Sequence, residues 1–212
     1  DFISIAQPPI FAYDEDFRIN DRGAAKLELD KENNKAKIKI KDEVKWSDGE
    51  PVTAEDLIYS YEIIGHKDYT GVRYDDNMMN IIGMEEYHDG KADTISGLKA
   101  LDDKTLEIEF KEVHPGMETY DGGIWPSAAP KHQLKDIPVK DLESSDEVRV
   151  HPLSFGPYVI DKVTPGEAVQ YVPNEHYYGD RSKIEKVILT VIPTSASIEA
   201  LKAKQYDMIF KM

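Results

Sequence analysis

The sequence predicts a mixed α/β protein: an antiparallel α+β layer followed by a unit built as strand–helix–strand. Three observations predict it. Residues 26–30 with 36–41, and 97–101 with 106–110, alternate apolar and polar side chains, the pattern of hairpins with one wet face. Residues 53–64 carry a capped helix with Leu57, Ile58, Tyr61 and Ile64 on one face. From Lys186 to Phe210 the order is apolar strand, helix, apolar strand, which implies a parallel or mixed sheet with a right-handed crossover.

Taken in order, residues 2–12 are apolar and contain two adjacent prolines, so they read as extended. Residues 14–23 are polar and loop-like. Leu27 and Leu29 mark the first strand, residues 31–35 its turn, and Ala36, Ile38 and Ile40 the second strand. Val44 and Trp46 end a further strand, and Ser47, Asp48 and Gly49 turn the chain. Thr53 can accept from the free amides of the helix's first turn, and Asp56 can answer it as the acidic half of a capping box. Gly65 stops this helix. Residues 66–73 are a loop, residues 74–82 and 84–88 read as short helices, and residues 124–133 form a proline-punctuated crossover. A polar helix is expected over 140–148. Residues 158–163 and 168–172 flank Pro165 and Gly166, a two-residue turn signal. Val187, Leu189 and Val191 mark a strand. The helix at 195–204 points Ile198 and Leu201 inward, and residues 206–210 form the last strand. The expected units are 12–130, a middle subdomain, and 1–11 plus 131–212, a second and partial one.

A chain of 212 residues can bury a sizeable core. No stretch approaches the ~20 apolar residues that span a bilayer. The formal net charge is −15, with acids and bases interleaved, which argues against non-specific nucleic-acid or anionic-membrane binding. The absence of cysteine excludes disulfides, thiolate metal sites and thiol nucleophiles. Six histidines are present and none makes an i, i+4 pair. Asp14, Asp16 and Asn20 lack calcium-loop spacing and its glycine. There is no GxGxxG, GxxxxGK[ST] or GxSxG. No catalytic residue, metal or cofactor is therefore expected. A hydrolase built on scattered carboxylates is the alternative, and it would need two of them facing each other in a dry pocket.

Two stretches could meet a ligand. In Asp68-Tyr69-Thr70-Gly71-Val72-Arg73-Tyr74-Asp75, a tyrosine and Arg73 can be presented to a ligand's backbone or carboxylate, Arg73 pairing with the carboxylate in two-pronged fashion, unless the segment is only a solvated loop. Phe155-Gly156-Pro157 reads either as a strand-entry turn or as backbone exposed at a cleft edge.

Lys45-Trp46-Ser47-Asp48-Gly49, then Pro-Val-Thr-Ala and Glu55-Asp56-Leu57, resembles the signature of the family 5 extracellular solute-binding proteins, receptors of ABC importers. Residues 154–178 resemble that family's "GPY…G…V…N…YY" segment, and residues 184–209 its strand–helix–strand, with Lys204 where glycine is usual. Residues 66–104 look closest to the oligopeptide-binding lipoproteins of Gram-positive bacteria. The resemblance covers residues 23–210. It implies a periplasmic-binding-protein-like type II fold, of which this chain carries the first lobe only, incompletely. It implies an oligopeptide ligand held between two lobes, permease subunits as partners, and the extracellular face of the membrane as location. The second lobe and the strand completing the first would lie beyond Met212, and a lipid anchor before Asp1, where the opening apolar segment suggests a removed natural start. By family position Tyr74 offers an aromatic to peptide backbone, and Phe155 and Gly156 form the cleft-edge turn. Trp125 faces either core or cleft. A peptide pheromone sensor or adhesin on the same fold is the other alternative.

Overall fold

The computed structural model describes residues 5–209. Its largest sheet is antiparallel, in the order β3–β4–β6–β5, from strands Ala25–Asp30 (β3), Lys35–Ile40 (β4), Leu98–Asp102 (β5) and Thr105–Glu109 (β6). The two expected hairpins are thus joined edge to edge, β4 pairing β6 with Ile38 opposite Leu106. Ala25, Ala36, Ile38, Ile40, Leu106 and Ile108 point inward and are buried. The other face carries charge: Lys37 of the inner strand β4 stands opposite Glu28 on one side and Glu107 on the other. Period-2 alternation sorts the two faces, and the cross-strand pairs hold the wet one in register.

The helix α1 (Ala54–Gly65) covers the buried face, packing on β5 and β6. Its capping box forms as expected. Gly65 lies at the helix end, but not in the left-handed conformation of a glycine stop. The helix is capped by His66 in an extended conformation. A Cβ on Gly65 would come within 2.5 Å of Met84 Sδ, so glycine is required here by the close approach of α3 (Met84–His88).

Ahead of β3, two two-residue strands, β1 (Ala12–Tyr13) and β2 (Ile19–Asn20), pair across the polar loop. The expected helix over 74–82 shrinks to α2 (Asp76–Met79). Asp75 caps it, accepting from the amides of Asn77 and Met78 at 3.0 and 3.2 Å. Ile81 and Ile82 instead extend beside β6: Ile82 N donates to Glu109 O at 3.0 Å, and Ile81 bridges Phe110. The polar helix expected over 140–148 is split into α5 (Val139–Leu142) and α6 (Asp146–Arg149), because Ser145 caps a new start by accepting from Val148 N. Before them lies α4 (Lys131–Leu134), which begins at the end of the predicted crossover.

The last third differs from expectation. Strands β7 (Tyr158–Thr164), β8 (Ala168–Pro173) and β9 (Val187–Thr190) form a sheet in which every described pairing is antiparallel. The turn between β7 and β8 has three residues, with Gly166 at φ 76. Helix α7 (Thr194–Lys202) buries Ala200, whereas Ile198 and Leu201 are exposed, against the predicted inward pair. Residues 206–209 form no strand, and Phe210 lies outside the described residues. Lys204 has φ 55, so the position where glycine is usual does adopt the left-handed conformation.

One core runs through the large sheet and α1 and takes in Ile10, Phe11, Trp46 and Phe155. A smaller cluster, Tyr59, Leu134 and Leu142, lies on the other side of α1. Among the described residues no helix is long and apolar enough to cross a membrane.

Candidate functional site

Asp56 ties the site region together. It is 4% exposed and accepts from four donors. Trp46 Nε1, Thr53 N and Thr53 Oγ1 donate to Oδ2 at 3.1, 2.9 and 3.1 Å, and Lys131 N donates to Oδ1 at 2.9 Å. Ala129 N donates to the Asp56 carbonyl at 3.0 Å. One carboxylate therefore joins the turn after Trp46, the start of α1 and the start of α4. Hydrogen bonds to a charged acceptor are the stronger kind, and here they fix three elements that are far apart in sequence. A second link lies alongside: His132 Nε2 meets Asp48 Oδ2 at 2.8 Å.

Tyr61, one and a half turns further along α1, holds the crossover. Trp125 N donates to Tyr61 Oη at 3.0 Å. Burial pushes the Tyr61 hydroxyl far above its ordinary pKa, so it stays neutral. Trp125 is thereby fixed with its indole part-exposed, and the Arg73 guanidinium lies over it, 5.3 Å from the ring centroid. Arg73 itself is exposed.

Tyr74 points the other way along the same loop. Its ring stacks on His88 at 3.9 Å between centroids and 17° between planes. His88 Nδ1 lies 3.0 Å from Gly65 O, which anchors the imidazole to the end of α1. Burial, then Glu85 and Asp89, raise the Tyr74 pKa above its usual value. Arg73 and Trp125 are thus brought together, whereas Tyr74 packs on His88 instead. Trp125 also lines a cavity of about 240 Å³ beside Tyr69, Ile63, Gln133 and Leu153.

Phe155 and Gly156 are not in that region's exposed surface. Phe155 is 1% exposed and meets Trp46 edge-on at 5.5 Å. Gly156 N donates to Ala6 O at 3.2 Å and to Ser154 Oγ at 3.0 Å, and its carbonyl accepts from Asn174 Nδ2 at 2.9 Å. The pair forms a packed joint between the first segment, the Trp46 turn and the entry to β7. Glycine is needed because a Cβ would run into Ala6 and Pro8.

Sequence reasoning missed Tyr61 and His88 as supports. Both sit at helical positions that read as packing, and their roles depend on residues 64 and 14 positions away in the chain. Among the described residues no group of three or more histidines and carboxylates is arranged to hold a metal ion.

A model of the bacterial extracellular solute-binding proteins, family 5 (middle), matches residues 21–212. The oligopeptide-binding protein OppA of Lactococcus lactis subsp. lactis is 39% identical over 207 residues, which are 96% of this chain and 34% of the relative. Lactococcal OppA, solved in the closed conformation with an endogenous peptide, has a TM-score of 0.91 over 94% of this chain and 38% of that chain. A periplasmic oligopeptide-binding protein from Borrelia burgdorferi, 25% identical, gives 0.77 over 96% and 40%. The chain spans about a third of the length of the curated relatives it matches.

Proposed function

Because this chain belongs to the family 5 bacterial extracellular solute-binding proteins, we propose that it supplies one wall of an oligopeptide-binding cleft in the receptor of an ABC importer. The observation that carries the reading is the 39% identity to a lactococcal oligopeptide-binding protein over nearly the whole chain. The surface of Arg73 and Trp125 fits it, with Tyr74, stacked on His88, beside it in the chain. Arg73 offers a two-pronged donor to a peptide carboxylate, and the rings offer flat apolar area. An extended peptide held between two walls hydrogen-bonds through its own backbone, so one wall can accept many sequences. Phe155 and Gly156 act behind that wall, setting where β7 leaves the core. The units 12–130 and 1–11 plus 131–212 are the subdomains of this wall.

The receptor acts outside the cell, held to the membrane by a lipid anchor, and passes peptide to permease subunits without altering a covalent bond. Calorimetric titration with a random peptide pool tests this. An intact receptor carrying this chain binds the pool. The chain alone, lacking the opposing wall, binds it about 100-fold or more weakly. Absence of binding by the intact receptor would overturn the peptide reading, and tight binding by the chain alone would overturn the one-wall reading.

A further inference from the structure

Three aromatic rings meet at one corner, Phe17 and Tyr120 exposed and Tyr13 packed against the core. The loop between β1 and β2 is organised by Asp14, whose Oδ1 accepts from Asp16 N at 3.0 Å and Arg18 N at 2.8 Å. Phe17 N donates to Asp14 O at 3.1 Å, and Phe17 adopts φ 60. That left-handed conformation suits glycine and strains a bulky side chain. Burial does not offset the strain, since Phe17 is 65% exposed. The ring it meets belongs to Tyr120, 6.5 Å away between centroids and itself 52% exposed. Tyr120 in turn stands edge-on to Tyr13 at 5.2 Å. Backbone contacts lock the two loops together: Tyr120 N donates to Phe17 O at 2.8 Å, and Arg18 bridges Thr119. Asp121 also has a positive φ, 56.

Carboxylates surround this corner. Asp14, Glu15, Asp16 and Asp121 are all exposed, against two cations, Arg18 in the loop and Arg22, whose Nη2 donates to Tyr13 O at 3.3 Å. The Tyr13 hydroxyl, its pKa pushed up to about 12 by burial, then Tyr120 and Asp121, adds no charge to the corner.

We infer that the corner of Tyr13, Phe17 and Tyr120 is a docking surface for a basic segment of a partner polypeptide. Lysine and arginine side chains can lie over the exposed ring faces while their charges meet the surrounding carboxylates. The carboxylate surplus favours such a cationic partner over a neutral saccharide, which could use the same rings. A strained, exposed phenylalanine costs the fold stability, and backbone outliers of this kind cluster where proteins meet their ligands.

Hexaarginine, hexaglutamate and an N-acetylglucosamine oligomer, titrated separately into isotope-labelled protein and followed by amide NMR shifts, test this. Hexaarginine should move the signals of residues 13–18 and 119–121, with an affinity that falls as salt is raised. Phe17→Gly should raise Tm yet weaken hexaarginine binding about three- to five-fold, and Tyr120→Ser should weaken it similarly. The inference is overturned if hexaarginine shifts spread evenly over the acidic surface, if Phe17→Gly binds undiminished, or if hexaglutamate or the saccharide moves the same signals as strongly.

Discussion

At the residue scale the chain depends most on Asp56. A sequence reader sees a helix cap. In the fold the same carboxylate also receives the Trp46 indole and the amide that starts α4. That gives Trp46, Thr53 and Asp56 of the signature-like stretch one physical role: they are parts of one hydrogen-bonded joint. Asp56→Ala would leave the buried Trp46 Nε1 and two backbone amides without their acceptor, at a cost of about 3 kcal/mol. Asp56→Asn keeps one acceptor oxygen and should cost about half as much. Urea unfolding followed by tryptophan fluorescence measures both. Because Trp46 is fully buried, the alanine variant should also show red-shifted emission before global unfolding. An unchanged midpoint in Asp56→Ala would show that the joint contributes nothing.

At the scale of elements, α1 and the large sheet each carry a test. Alanine normally favours a helix over glycine by about 1 kcal/mol. At Gly65 the added methyl meets Met84 Sδ and the Tyr87 ring, and overpacking of that kind costs about 1–3 kcal/mol. Gly65→Ala should therefore destabilise, and a rise in Tm would contradict the close approach of α3. On the wet face, Lys37→Glu would place three acids in a row across β3, β4 and β6, costing about 0.5–1 kcal/mol at low salt and less in high salt. These elements were legible in the sequence because their signals are local: period-2 alternation, a capping box, turn residues. The failures were equally physical. Residues 81–82 looked helical, but an unpaired stretch at β6 offered them backbone partners. Ser145 split a helix by capping a new one. Ile198 and Leu201 have helical spacing, but spacing cannot say which face meets a neighbour. Of the candidate site, the sequence named Arg73, Tyr74 and Trp125 but not their arrangement, Arg73 over Trp125 and Tyr74 on His88. The buried setting of Phe155 and Gly156 was not, since it is made by Trp46, Ala6 and Asn174 from three distant parts of the chain.

For the molecule as a whole, buried and half-buried tyrosines set the alkaline limit of stability. Burial lifts the pKa values of Tyr13, Tyr171 and Tyr178 to about 12, with neighbouring Tyr120 and Asp121 adding to the first and Tyr177 and Glu43 to the last. Tyr61 is raised further still, by burial. In the unfolded chain each would ionise near 10. Above that pH the unfolded state has lost protons that the folded state keeps, so stability falls as pH rises. The contribution is complete below about pH 10 and is lost progressively toward pH 12. Lys104 works in the opposite direction. Burial lowers its pKa, while its ammonium donates to the carbonyls of Val44 and Val52, so its linkage favours the fold as pH climbs toward its unfolded value. One lysine cannot offset several tyrosines, and the net slope should be negative. Tyrosinate absorbance and circular dichroism, recorded together from pH 8 to 13, give the measurement. Among the twelve tyrosines the exposed ones should ionise first with the fold intact, and a second group only as the ellipticity collapses. A single titration near 10 with the ellipticity unchanged would mean that these rings are not held away from water, and the core that carries the proposed cleft wall would have to be redrawn.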